Sequence, residues 1–450
     1  MSIFFKLEKP NLDKVEKSDV VKKLLGPEKD IFLNFINRVS EDKYLYWDKI
    51  KYHQPFPQEL SREELWLMVK FMRGISSIKT PIKHEDGHFF TWAKLEKMEP
   101  FFHEIDLTTG GEISIEKSMD QKKNKQKLIF RGIVEEAIAS SQLEGASTSR
   151  EVAKKFLREG RKPINYSEQM IFNNYLTMKL IEEDYKNLKM DMNLFLELHG
   201  MITKDTQTSE GEQPRIRNEN DEICVTDNVR EEIIYHKAPN MKFVNTEIEK
   251  LISFANNEED SSNFIHPIIK AIMLHFWVGY LHPFTDGNGR LARVLFYWYL
   301  LKNGYWAFAY LPISKIIKKS PTQYKMAYVY SEQDDYDMTY FIDYNIKKIQ
   351  LSVNNFKEYL SNKAEENKSM KISSKHSYNF NERQISLLQY FNGAPEERTS
   401  LRMHINTNQV SKNTALKDLK SLVEQGFLET KKQGKIVYYY PTNKTKSLFS

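Results

Sequence analysis

Two runs are the most apolar stretches of the chain, and most of what surrounds them alternates with a helical or strand-like period. The runs are IIKAIMLHFWVGYL (268–281) and LARVLFYWYLL (291–301). A helix that is apolar all round belongs in a protein interior or a membrane. Neither run alone reaches the roughly 20 residues of a membrane span, so a soluble protein is expected. In LIFRGIVEEAIASSQLEG, Ile129, Ile133, Val134, Ala137 and Ile138 recur at a 3.6-type spacing, which predicts a helix over about 128–144. Gly145 can end it. TSREVAKKFLREG restarts with Thr148 or Ser149 as cap, and NYSEQMIFNNYLTMKLIEEDYK and MNLFLELHGMIT predict further amphipathic helices. Before these, WDKIKYHQPFPQELSREELWLMVKFMR reads as an extended start and a turn at Pro55 and Pro57. A helix capped by Ser61 follows, with Glu63 and Glu64 in its first turn.

Residues 209–240 break the helical pattern. Polar turn residues surround two short β-like runs, EICVT and EIIYH, which predict a hairpin. Helices resume near 245 and continue to about 360, where the chain fades into a lysine- and serine-rich linker. Three short helices and a hairpin turning at Gln433-Gly434 then fill 380–441, in the order of a winged helix-turn-helix. The expected fold is mainly α with a small α+β domain at the end. Its parts are an N-terminal helical region (1–124), a helical core (125–360), a linker (361–379) and the winged helix (380–450).

Composition changes this picture little. The 450 residues are 40% hydrophobic, 13% aromatic and 28% charged, as in a globular protein, and the net charge of +5 permits an acidic partner without demanding one. Cys224 is the sole cysteine, so no internal disulfide can form. It reads as a packing residue. The start, MSIFFKLEKPNLDK, has no basic segment leading into a long apolar run, so no signal peptide and a cytoplasmic, membrane-free protein are expected.

The chemistry concentrates between the two apolar runs, in HPFTDGNGR (282–290). Pro283 helps to stop the first helix, and the second must start near Gly289. The loop therefore feeds a helix N-terminus, where free N–H groups and the dipole favour an anion. Glycines let the backbone approach that anion. Arg290 can grip phosphate oxygens in a bidentate fork. Asp286 would repel a bare phosphate, which suggests a bridging Mg²⁺. His282 can act as general base toward a hydroxyl. A DGNG tetrapeptide also makes a plain tight turn, and a histidine ending an apolar helix also serves as a cap.

HPFTDGNGRLAR resembles the signature of the Fic family at every position, and HPIIKAIMLHFWVGYL and SEQDDYDMTYFIDY resemble the family on either side, over roughly 125–350. That resemblance implies a Fic-type helical core and transfer of AMP from ATP onto a Ser, Thr or Tyr hydroxyl of a target protein, with pyrophosphate leaving. By position, His282 would be the base and Phe284 the loop's anchor. Asp286 would hold Mg²⁺, and Gly287, Asn288 and Gly289 would form the anion nest. Arg290 and Arg293 would bind the distal phosphates. The hairpin would be the family's flap, with Ile223 and Val225 clamping an extended target segment. Tyr324 and Tyr328 are candidates for adenine.

SSQLEG (140–145) resembles the inhibitory motif of regulated Fic proteins. It implies that Glu144 takes Arg293 from the γ-phosphate, with Ser140 one turn earlier helping to orient it and Gly145 ending the helix. In some regulated relatives the same glutamate supports AMP removal, so removal is an alternative main activity. In the C-terminal module, Lys412, Lys417 and Lys420 with Asn413 and Thr414 suit DNA, as do Lys431, Lys432 and Lys435 in the wing. Asp418 and Glu424 share that helix, and winged helices also serve as dimerisation modules. A DNA-binding regulator whose core senses nucleotide is the other alternative, and a homodimer is compatible with either.

Overall fold

The computed structural model describes residues 3–13, 15–109, 121–206, 212–227, 230–258, 264–374, 378 and 380–448. Helices dominate. In chain order, the elements used below begin with β1 (Ile3–Phe4), α1 (Arg62–Ile75), β2 (Ser77–Lys83), β3 (Phe89–Ala93), α2 (Gln121–Leu143) and α3 (Arg150–Glu159). Next come α4 (Met192–Thr203), β4 (Cys224–Thr226), β5 (Ile233–Lys237), α5 (Met241–Ala255), α6 (Pro267–Leu281) and α7 (Asn288–Lys302). The last are α8 (Pro321–Gln333), α9 (Thr339–Ser374), α10 (Glu382–Gly393), β6 (Thr399–Ser400), α11 (Leu401–Asn408), α12 (Lys412–Glu424), β7 (Leu428–Gln433) and β8 (Ile436–Pro441).

The chain divides into two compact units, one of residues 1–111, 176–308 and 316–350, the other of 112–175, 309–315 and 351–450. The apolar pair α6 and α7 is the centre of the first. Trp277, Tyr280, Tyr297, Trp298 and Tyr299 are all fully buried there. No described helix is long and apolar enough to cross a membrane. Ser61 caps α1 as expected, in a capping box with Glu64. The hairpin predicted at 209–240 is present as β4 and β5, and β1 adds to it in parallel, giving the order β1-β5-β4. Two features of the N-terminal region depart from the expectation. WDKI is a short helix rather than extended chain, and β2 and β3 form a hairpin in what was expected to be helical.

In the second unit, Val134 and Ile138 of α2 pack on Ala153, Phe156 and Leu157 of α3. Ser149, not Thr148, caps α3 through its hydroxyl on the Val152 N–H. The helix α9 runs through 361–374, where a linker was expected. That stretch is polar, but it holds no proline or glycine to stop a helix. The last segment packs Leu388, Leu419, Leu422 and Phe427 into a core beneath a three-stranded sheet of order β6-β8-β7.

Candidate active site

The site is built at the facing ends of α6 and α7. A helix leaves its last carbonyls without intrahelical partners, and here side chains take four in succession. The His282 ring Nδ1 lies on Gly279 O. His236 Nε2 meets Tyr280 O at 2.8 Å. Arg217 donates from Nη2 to Leu281 O at 3.1 Å and from Nε to His282 O at 2.7 Å. Arg217 also donates to Pro239 O, beyond β5. A cation at this end is favourable for the dipole of α6. His282 itself takes a left-handed backbone, φ 44°. With Nδ1 donating to a carbonyl, the ring is the tautomer whose lone pair sits on Nε2, the form a general base requires.

His236 holds a second partner. Its Nδ1 is 2.7 Å from a Glu332 carboxylate oxygen on α8. Burial alone lowers the pKa of this imidazole, but the Glu332 charge and hydrogen bond outweigh it, and the net shift is upward. The hairpin is thus fastened to the end of α6 from two sides. Its ring lies 5.8 Å, centroid to centroid, from that of His282.

The loop between the helices is tied down at each residue. Arg217 N donates to Pro283 O and Thr285 N to Arg215 O, at 3.1 and 2.9 Å, and Ile216 pairs antiparallel with Phe284. Phe284 is buried, as an anchor should be, and lies face to face with His199 of α4 at 3.5 Å. Asn288 spends its side chain on this loop, accepting from Phe284 N at 3.0 Å and donating to Phe284 O at 2.8 Å. Only its backbone is left for a nest. Gly287 has φ 86°, and a Cβ there would lie 2.7 Å from Thr203 Cγ2. Among the described residues no side chain caps α7. Its first turn, Asn288-Gly289-Arg290, therefore presents N–H groups and the positive end of the dipole.

Asp286 stands half-buried beside that turn. One carboxylate oxygen accepts from Gly287 N at 2.6 Å, the other from Arg290 Nη2 at 3.0 Å. Arg290 is 0% exposed, and its Nη1 donates to Ile202 O at 2.9 Å. Its guanidinium is thus turned inward on Asp286 and α4, where the sequence suggested an open phosphate fork. His199 Nε2 meets Asp286 O at 2.9 Å, and burial pushes its pKa down to about 4. Arg293, one turn along α7, is buried. Its charge acts on His275, whose pKa burial, and then Arg293, lower to about 3. Tyr324 Oη is 2.7 Å from His275 Nε2, and Tyr328 stacks on Phe276 at 5.3 Å. Both tyrosines are half-buried against α6.

β4 is an edge strand, with one side paired to β5. Val225 is opposite His236 in register, which puts the two on one face of the hairpin, and Ile223 shares that face by its spacing. All three lie on the side that meets the end of α6. Burial raises the Cys224 pKa, which fits packing better than nucleophilic use.

Ser140, Glu144 and Gly145 belong to the second unit. Ser140 is buried in the last turns of α2. The helix stops at Leu143 in a Schellman arrangement: Ala146 N donates to Ser141 O at 3.0 Å and Gly145 N to Gln142 O at 3.3 Å, with Gly145 at φ 94°. Gly145 ends the helix as its sequence implied, and Glu144 is held at a fixed place just past the last turn.

Among the described residues there is no group of three or more histidine, cysteine or carboxylate side chains that could hold a metal. Magnesium needs only one or two carboxylates when phosphates and water supply the rest. Asp286, with its carboxylate 35% exposed, fits a site of that kind. Arg217, His236 and His199 are site residues that the sequence did not single out. Each acts on carbonyls distant in the chain, and local pattern carries no mark of that.

Residues 189–300 match the family model described as the Fic/DOC family. The protein adenylyltransferase Fic of Drosophila mojavensis is 36% identical over 58 residues, 13% of this chain and 11% of that one. That of Nematostella vectensis is 49% identical over 41 residues, 9% and 10% of the two chains. The chain thus spans about a tenth of the length of these curated relatives. Among solved structures, a Fic family protein from Desulfovibrio desulfuricans G20 overlays with TM-score 0.45 at 17% identity, over 78% of this chain and 97% of that one. Fic-1 from C. elegans overlays with TM-score 0.43 at 14% identity, over 75% and 86%. The matched span holds α4, the β4–β5 hairpin, α6, the HPFTDGNGR loop and the first part of α7, and with these the chain carries a domain of the Fic/DOC family.

Proposed function

We propose that this protein is an adenylyltransferase that moves AMP from ATP to a Ser, Thr or Tyr hydroxyl of a target protein and releases pyrophosphate. The observation that carries this is the pairing of His282, in the base-competent tautomer, with the uncapped N-terminus of α7. Around it, the backbone of Gly287, Asn288 and Gly289 would cradle phosphate and Asp286 would hold Mg²⁺. Arg290 would keep Asp286 in place and add positive charge beside it, and Arg293 would meet the γ-phosphate. Mg²⁺ held there would supply charge neutralisation at the phosphates. His282 Nε2 takes the hydroxyl proton as the oxygen attacks the α-phosphorus. The rest of the catalysis is positioning and charge neutralisation. The open edge of β4 supports pairing with an extended target segment, with Ile223 and Val225 against its side chains.

The SSQLEG motif supports a built-in restraint, in which the Glu144 carboxylate competes with the γ-phosphate for Arg293. The test is incubation with α-labelled ATP. Glu144→Gly is expected to raise self-labelling by at least about tenfold, the effect of about 1.4 kcal/mol, and His282→Ala to abolish it. Chelation of Mg²⁺ should stop labelling in both backgrounds. Equal labelling by wild type and Glu144→Gly would reject the restraint. Label that survives His282→Ala would reject the transfer itself.

A second role, DNA binding by a C-terminal winged helix, has its own support. Lys412, Lys417 and Lys420 are exposed on α12, while Asp418, which seemed to oppose them, is buried against Arg383 and His404. The outer face of α12 is thus more basic than its sequence suggests. Replacing the three lysines with glutamate should cut DNA retention and flatten its salt dependence; unchanged retention would sink this role.

A further inference from the structure

The second unit contains a cleft of about 420 Å³, within the range of small-molecule sites, far in sequence from HPFTDGNGR. It lies among α2, α3, the later part of α9, α10 and α11. Five cations line it, Lys127, Arg131, Lys154, Arg158 and Arg383; Lys154 is paired with Glu135 and Arg383 with Asp418, which leaves three against the carboxylate of Glu382. Two of them make flat platforms. The Arg131 guanidinium lies 3.5 Å over the Tyr359 ring, and that of Arg158 4.5 Å over Tyr390. Planar groups stack on such surfaces without much regard to sequence or substituent.

The cleft also holds buried polar atoms with nothing to bond to. Asn408 is 4% exposed, and its Oδ1 has no hydrogen-bond partner among the described residues. Its Nδ2 is already spent on His404 O at 3.0 Å, so the amide orientation is fixed. Among the described residues Arg158 Nε, a donor, is buried without a partner as well, and so is Thr407 Oγ1. Unmet buried groups are costly and call for an explanation. Asn408 Oδ1 asks for an N–H or O–H on the ligand. Arg158 Nε asks for an acceptor, and the surplus of cations prefers that acceptor anionic. A flat body with a donor on its edge and an anion at its end is a nucleotide.

We propose that this cleft is a second nucleotide site, distinct from the Fic centre. Its base would stack between the Arg131–Tyr359 and Arg158–Tyr390 platforms with its edge on Asn408, and its phosphate would lie on Arg158 and neighbouring cations. The proposal does not depend on the transfer reaction.

The test is photolabelling of the full chain with 8-azido-ADP, followed by peptide mapping. Label is expected in peptides from 351–361 or 382–408, as well as near 282–328. Excess ADP should remove it from both places. Arg158→Glu and Tyr390→Ala should each lower the cleft label by about tenfold, as for loss of one charge-assisted or stacking contact. Label near 282–328 should stay as in wild type, which shows that the variants fold. Label confined to 282–328 would overturn the proposal and leave the Fic centre untouched. So would cleft label that persists in excess ADP or in both variants. Displacement of cleft label by inorganic phosphate as readily as by ADP would reduce it to a simple anion site and overturn the nucleotide assignment.

Discussion

At position 287 a methyl group has nowhere to go. Gly287 combines φ 86° with a neighbour, Thr203 Cγ2, that would lie 2.7 Å from any Cβ. Gly287→Ala is therefore expected to lose about 1–3 kcal/mol of stability in urea unfolding, and to lose self-labelling with it. Full labelling in that variant would show that the loop can be rebuilt. His199, close by, gives a pH signature. Its pKa is about 4 in the fold, against 6.5 for the free side chain. Being lowered, it contributes nothing adverse above pH 6.5; below that the unfolded chain takes up a proton that the fold refuses. Stability should fall as pH drops from about 6.5 to 4, by roughly 3 kcal/mol for this group at about 1.4 per pH unit. His199→Gln should be less stable at neutral pH, through loss of the stack on Phe284, yet show a flatter decline over that window. Parallel declines for the two proteins would assign the acid sensitivity elsewhere.

The caps on α6 belong to the scale of elements. Arg217 reaches back across 64 and 65 residues to carbonyls at Leu281 and His282, and so couples the hairpin to the base. Arg217→Ala should slow labelling about ten- to a hundredfold, because a small misplacement of a reacting group is costly. Nucleotide affinity should hardly change, since the α7 terminus is untouched, and Arg217→Lys should restore only part of the rate. A matching loss of rate and affinity would make Arg217 a general support of the loop instead. Such links explain what the sequence could and could not tell. Helices α6 and α7 were legible because apolar residues dominate them, and Ser61, Ser149 and Gly145 because caps obey local chemistry. The β4–β5 hairpin showed in its alternation. The β2–β3 hairpin did not, although Asp86-Gly87 marks its turn, because SIKTPIK, broken by Pro81, and FFTWA carry no clean alternation of their own. Arg290 read as a phosphate fork, and only the packed structure turns it on Asp286 and Ile202. Asp418 read as an exposed acid, and only the structure turns it inward.

At the scale of the whole molecule, the C-terminal segment does more than follow a linker. Helix α11 packs on α2 and α3. Arg402 donates to Gly160 O at 2.5 Å and Asn406 to Arg158 O at 2.8 Å, at the left-handed end of α3. Lys155 and Glu397 add an ion pair at 3.7 Å, too exposed to matter much. The helix that ends in SSQLEG is thus braced by the last 70 or so residues of the chain. Truncating them would strip α2 and α3 of a packing partner and confuse loss of support with loss of DNA binding, so point changes are the better probe. If Glu144 restrains transfer, loosening the packed α2–α3 pair at whose junction it lies should release it. Arg402→Ala with Asn406→Ala removes two hydrogen bonds worth about 1 kcal/mol each, enough for a several-fold rise in self-labelling. In a Glu144→Gly background the same pair should add nothing, because the restraint is already gone. Equal increments in both backgrounds would mean that the C-terminal segment acts on transfer by a route that does not pass through Glu144.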